Sequence, residues 1–155
     1  MDVNIGIAAD KRTKVAEGLA RVLADSIYFN MLLQNVHWNI TGRHFLAVHN
    51  MTEEQYTELR EAIDELAERM RALDAKAPGT FRELGKLTKI QEPEKLEKEG
   101  DHLQALLAGH ETLIATLREV FPTAEDAGDD ETVDLYTQRL QVHTKAAWML
   151  RAMLS

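Results

Sequence analysis

Apolar residues recur at three- and four-residue steps along several stretches of this chain, and the clearest runs from Phe45 to Leu73. Phe45, Val48, Thr52 through its methyl, Tyr56, Leu59, Ile63, Leu66, Met70 and Leu73 fall on one stripe of a long helix, with no glycine or proline to interrupt it. An earlier stretch, from Asp10 to about Asn39, sets Val15, Leu19, Val22, Leu23, Ser26, Phe29, Leu33 and Val36 on one face, with Asp10 as the expected cap. Thr41 and Gly42 break that pattern and reverse the chain before Phe45.

Pro78 and Gly79 lie beyond the end of the second helix. Residues 80–90 then place Phe81, Leu84, Leu87 and Ile90 at helical steps, which predicts a short helix across the middle of a bundle. A third long helix is expected with Pro93 near its first turn. Its buried side would carry Leu96, Leu103, Leu106, Leu107, His110, Leu113, Ile114, Leu117 and Phe121, and Pro122 should stop it. One of Gly128, Asp129 and Asp130 should cap a fourth helix bearing Val133, Tyr136, Leu140, His143, Ala147 and Leu150. The pattern therefore predicts an all-α domain over residues 10–155, a four-helix bundle with a short extra helix between helices two and three, after an extended lead over residues 1–9. The connection through residues 74–92 is long enough to travel the bundle and let helices two and three run parallel; tight hairpins alone would give up-down-up-down order.

Composition narrows the function classes. With 18 Lys plus Arg against 26 Asp plus Glu, the net charge of −8 argues against a surface that attracts nucleic acid over a whole face. The absence of cysteine excludes disulfides, zinc-thiolate centres and cysteine catalysis. No secretory leader or membrane-length apolar span is visible, so a cytoplasmic location with no membrane partner is expected.

The chemistry concentrates in His37, His49, Glu53, Asp64 and Glu68. With His49 as the zero of a helical wheel, Glu53, Asp64 and Glu68 fall at about 40°, 60° and 100°, beside an apolar stripe centred near about −60°. Glu54, Glu58, Glu61 and Glu65 fall further round, between about 120° and 180°, where carboxylates meet water. His49 with Glu53, and Asp64 with Glu68, are each one turn apart and can approach one metal ion. The two pairs are separated by a rise of roughly 22 Å, so a single centre using both requires a second subunit, arranged antiparallel about a two-fold axis. His37 can join from the end of the first helix. This mixed nitrogen and oxygen set suits iron, manganese or zinc, with iron preferred because open positions would admit an oxidant. His143 and His110 read as satisfied core histidines, and His44 and His102 as exposed ones. Trp38 and Trp148 read first as packing residues, with an interface anchor or a redox-active neighbour of the metal as the alternatives for Trp38.

The runs His37-Trp38-Asn39-Ile40-Thr41-Gly42, Phe45, Val48-His49-Asn50-Met51, Glu61-Ala62-Ile63-Asp64-Glu65-Leu66-Ala67-Glu68-Arg69 and Val142-His143-Thr144-Lys145-Ala146-Ala147-Trp148-Met149-Leu150 together resemble the Dps family, small ferritin-like proteins that protect DNA in starved cells. The resemblance implies a hollow dodecamer with 23 symmetry and ferroxidase centres at its two-fold interfaces. His37, His49 and Glu53 would come from one subunit and Asp64 and Glu68 from its neighbour. Iron(II), up to two per site, would be oxidised there, with hydrogen peroxide preferred over oxygen, and iron(III) stored as mineral in a protective stress response. The family most often has Asp where Glu53 stands. Glu54, Glu58 and Glu61 become candidates for mineral nucleation, and Asp126, Asp129, Asp130 and Asp134 for three-fold pores.

DNA binding is expected to be weak or absent, since only Lys11, Arg12 and Lys14 follow an uncharged or acidic lead. The competing readings are a DNA-binding nucleoid protein with secondary iron binding, a di-manganese or di-iron catalase or oxidase, and a structural helical oligomer without metal chemistry. The catalase or oxidase reading is disfavoured because the third and fourth helices offer no Glu-x-x-His pair on their apolar faces.

Overall fold

The first stripe folds as α1 (Ala9–Asn39), and every position predicted to face inward on it is buried. The computed structural model describes residues 3–155; of the expected lead, Met1 and Asp2 lie outside the described residues, and residues 3–8 are non-helical with Ile7 packed on the core. Asp10 does not cap α1. Ala8 holds the cap position without a side-chain bond, and Asp10 sits in the first turn, where its charge meets the positive end of the helix dipole.

The second stripe forms α2 (Phe45–Ala72). It stops at Asp74, whose φ of 69° turns the chain so that Asp74 N–H donates to the Arg71 carbonyl and Ala75 N–H to that of Met70, both at 3.0 Å. The short helix α3 (Phe81–Leu84) is a single turn started by a Thr80–Glu83 capping box, much less than the run over residues 80–90 that the spacing suggests. Leu84 and Ile90 are buried as expected, but Phe81 is 79% exposed. The chain leaves the helix because buried Asp25 captures it: Thr88 hydroxyl and Lys89 N–H donate to Oδ1 at 2.9 and 2.6 Å, and Thr116 hydroxyl to Oδ2 at 2.6 Å.

α4 (Glu99–Ala127) starts six residues after Pro93, where Asp101 Oδ2 accepts Lys98 N–H at 2.9 Å. Pro122 does not end it. The proline is exposed, and the flanking Val120 and Ala124 stay buried, so their packing outweighs one missing backbone bond. The stop is Gly128 at φ 67°, with Gly128 N–H donating to Glu125 and Asp129 N–H to Ala124, a Schellman arrangement. Asp129 then caps α5 (Asp130–Leu154) by accepting Thr132 N–H at 3.0 Å, so the predicted linker shrinks to two residues.

Two apolar clusters fix the topology. One joins the N-terminal half of α1 and the C-terminal half of α2 to the C-terminal half of α4 and the start of α5, around Leu19, Leu66, Leu117 and Tyr136. The other joins the opposite ends, around Phe29, Leu59, Leu106 and Leu150. Hence α1 is antiparallel to α2 and α4, and α2 and α4 run parallel, which only the long crossover permits. Among the described residues no helix is long and apolar enough to cross a membrane.

Candidate metal centre

The turn between α1 and α2 is held against the start of α4. Gly42, at φ 122°, lies so close to Glu99 that a Cβ there would sit 2.5 Å from Oε2. Glu99 accepts His44 N–H at 2.8 Å and pairs with His44 Nδ1 at 2.7 Å, contacts that hold its carboxyl below the usual carboxylate range. His44 is exposed, as predicted, and clasps the turn that sets the last turn of α1 beside the first of α2.

That juxtaposition brings His37 and His49 face to face, with ring centroids 3.8 Å apart and planes inclined by 20°. Each Nδ1 lies 2.9 Å from the other residue's backbone carbonyl oxygen. A carbonyl only accepts, so each ring turns an Nδ1–H toward it, which leaves Nε2 as the nitrogen that the neutral imidazole can offer a metal. Thr52 Oγ1 lies 3.4 Å from His37 Nδ1, Tyr56 stands edge-on to His37 and Phe45 stacks on His49. His37 is buried and His49 half-buried.

Glu53, Asp64 and Glu68 are exposed on α2. No three acidic or imidazole side chains converge to hold a metal within one chain among the described residues. The structure therefore joins His37 to His49 and leaves Asp64 and Glu68 further along the same uninterrupted helix.

Other candidates divide by their surroundings. Glu54 and Glu61 are exposed beside Glu53, lining with it one shallow depression on α2. Glu58 is engaged: buried Arg139 grips both its oxygens, at 2.6 and 2.9 Å. Asp129 is fully buried, with its oxygens on Thr132 and Arg69, and so cannot line a pore. Asp126, Asp130 and Asp134 are exposed, Asp126 paired with Lys11 at 3.7 Å and Asp134 accepting from Gln138 at 2.6 Å. Trp38 and Trp148 are 61% and 63% exposed, so neither packs into the core of its own chain.

His110 and His143 are buried core residues with Nδ1 atoms 3.0 Å apart, and His110 packs edge-on to Phe29. Burial, with a smaller contribution from Arg139, pushes His110 down to about 3, and His143 is depressed in the same direction by burial first and its neighbours second. His102 departs from expectation: it is buried, with Nδ1 2.9 Å from the Lys98 carbonyl oxygen. Sequence reasoning also passed over Asp25, Arg69 and Arg139. Arg139 and Asp25 stand at helical steps from His143 and Phe29, so a charged residue inside an apolar stripe was the available signal.

A ferritin-like domain family matches residues 16–155. DNA protection during starvation protein 2 of Bacillus anthracis is 33% identical over 142 residues, covering 92% of this chain and 97% of that protein. The DNA protection during starvation protein of Helicobacter pylori is 35% identical over 143 residues, covering 92% and 99%. Among solved structures, a Dps protein from Vibrio cholerae, described as a member of a broad superfamily of ferritin-like diiron-carboxylate proteins, is similar with a TM-score of 0.92 at 33% identity over 100% of this chain and 98% of that one. DpsC from Streptomyces coelicolor gives 0.93 at 27% identity over 100% and 91%. With its helical order, its crossover and these relatives in agreement along nearly the whole length, the chain belongs to the Dps family of ferritin-like proteins.

Proposed function

We propose that the protein is a ferroxidase and iron-storage protein whose centres form between subunits. The observation that carries this reading is the stacked pair His37 and His49, each with Nδ1 tied to the other's carbonyl, which leaves Nε2 as the nitrogen free for a metal. Glu53 supplies an oxygen donor one turn along, and Asp64 and Glu68 of a second copy complete the set across a two-fold axis. Iron(II) is the substrate. Two iron(II) ions each give one electron, hydrogen peroxide takes both, its O–O bond breaks, and two protons are taken up as two waters leave. Pairing the electrons in one site avoids the one-electron cleavage that would free hydroxyl radical. The carboxylates hold iron(III) more strongly than iron(II), which favours the oxidation.

The same reading has the copies assemble as a hollow cytoplasmic dodecamer of 23 symmetry. Asp126, Asp130 and Asp134 would admit iron through pores, and Glu54 and Glu61 would seed mineral on the inner wall. The net charge of −8 supports weak or absent DNA binding. The test is stopped-flow iron(II) oxidation by peroxide. Asp64→Ala and Glu68→Ala should each slow it by about 10- to 100-fold with the assembly intact; unaltered kinetics in both would remove the assigned site. His37→Ala combined with His49→Ala should abolish stoichiometric iron uptake, whereas a purely structural oligomer would show no iron stoichiometry to lose.

A further inference from the structure

We infer that Thr52 is a positioning residue for the metal-binding imidazole of His37, a role that rests on the function proposed above. Thr52 is fully buried although its side chain is polar, and its hydroxyl lies against three groups of the site. Oγ1 is 2.8 Å from the Val48 carbonyl oxygen, 3.0 Å from that of His49 and 3.4 Å from His37 Nδ1. The hydroxyl has one proton, and the shorter contact assigns it to Val48. Toward His37 Oγ1 can then act only as an acceptor, in a long contact secondary to the 2.9 Å bond that the Nδ1–H makes to the His49 carbonyl. That proton lies between two oxygens.

The consequence concerns the tautomer. A neutral imidazole in water prefers its proton on Nε2, the nitrogen a metal needs free, and only hydrogen bonding at the other nitrogen reverses that preference. At His49 the His37 carbonyl alone performs this task. At His37 the His49 carbonyl is assisted by Oγ1, in a buried place where hydrogen bonds are electrostatically stronger. Rotating the His37 ring by half a turn would set a carbon against both oxygens and lose both contacts. Back-bonding threonines are ordinary in helices, and Thr112 and Thr137 make the same bond to the carbonyl four residues earlier, at 2.8 Å in both cases. Neither hydrogen-bonds an imidazole among the described residues, so either provides a control.

The experiment compares the parent, Thr52→Val, Thr52→Ser and Thr112→Val, each as the intact assembly. In metal-free protein labelled with ¹⁵N-histidine, solid-state nuclear magnetic resonance reads which imidazole nitrogen is protonated. Visible absorption during titration with Co(II), a spectroscopic probe for the same donors, reads affinity. Thr52→Val keeps the shape and removes the acceptor; it should raise the Nε2–H fraction at His37 and weaken Co(II) binding by about three- to tenfold. Thr52→Ser should restore both readings, and Thr112→Val should match the parent. Parental tautomer and affinity in Thr52→Val would overturn the inference, as would a Thr52→Ser variant as impaired as Thr52→Val, which would assign the effect to packing. If the parent binds no Co(II), the metal reading of the pair falls and the inference with it; the metal-free tautomer measurement shows separately whether Thr52 orients the ring.

Discussion

The proposal that one centre is shared between two subunits makes a prediction that can be counted. Within one chain the path from His49 to Asp64 follows α2, which is unbroken from Phe45 to Ala72, so the two pairs stay roughly 22 Å apart while metal–ligand bonds are near 2 Å. Consider two inactive variants, one with His37→Ala and His49→Ala, the other with Asp64→Ala and Glu68→Ala. In a two-fold dimer of either variant alone, both sites lack half their donors. In a mixed dimer one site keeps only Glu53, and the other takes imidazoles from the second variant and Asp64 and Glu68 from the first, and is whole. Random assembly from equal amounts makes about half of the dimers mixed, so about a quarter of the parental sites should return. The assay is co-expression with two tags, purification through both, verification of composition by native mass spectrometry, and stopped-flow oxidation at less than one iron(II) per site. Mixed assemblies of verified composition that recover no activity would falsify the shared site, because donors confined to one chain cannot complement.

Three further outcomes follow from the core. Because the folded-state pKa of His110 is depressed to about 3, the unfolded chain binds the extra proton first as pH falls below 6.5; His110 alone then costs about 1.4 kcal/mol of stability per pH unit, roughly 3 kcal/mol by pH 4.5, and His110→Gln should remove that share in denaturation measured at pH 6.5 and 4.5 while the like-signed contribution of His143 stays. Asp129→Ala removes a helix cap and the partner of largely buried Arg69, and should cost about 3 kcal/mol in urea unfolding, with Asp129→Asn costing less because the amide oxygen can still cap. Gly109→Ala would put a Cβ 2.3 Å from the Phe29 ring and should destabilise by about 1 to 3 kcal/mol, read as a lower melting temperature; an unchanged melting temperature would show that Phe29 moves freely.

What the sequence discloses about the fold follows the range of the forces involved. The faces of α1 and α2 are decided by periodicity over many turns, and there pattern and structure agree from Val15 to Val36 and from Val48 to Leu73. The ends are decided by single residues in competition. Pro122 is a strong local stop, yet the burial of Val120 and Ala124 carries α4 past it to Gly128. The three-turn helix suggested by Phe81, Leu84, Leu87 and Ile90 loses to a carboxylate on another helix, since Asp25 binds the chain at Thr88 and Lys89. Nothing in residues 80–90 announces that partner.

The candidate site divides along the same line. His37 and His49 lie either side of a turn fixed by Gly42, so their meeting is a short-range event that spacing can anticipate. Thr52 was legible only as a methyl on the apolar stripe; its hydroxyl matters because of an imidazole that arrives from another helix. Glu58 shared the helical angle of the free acids, and Arg139, from α5, separates it from them. The border of α2 is thus one continuous strip in sequence and several environments in space. Where the neighbour lies in the same chain, as at His49, it already holds the side chain; at Glu53, Asp64 and Glu68 the border is open to solvent, and open donors on a buried stripe's edge are the ones a second copy could reach.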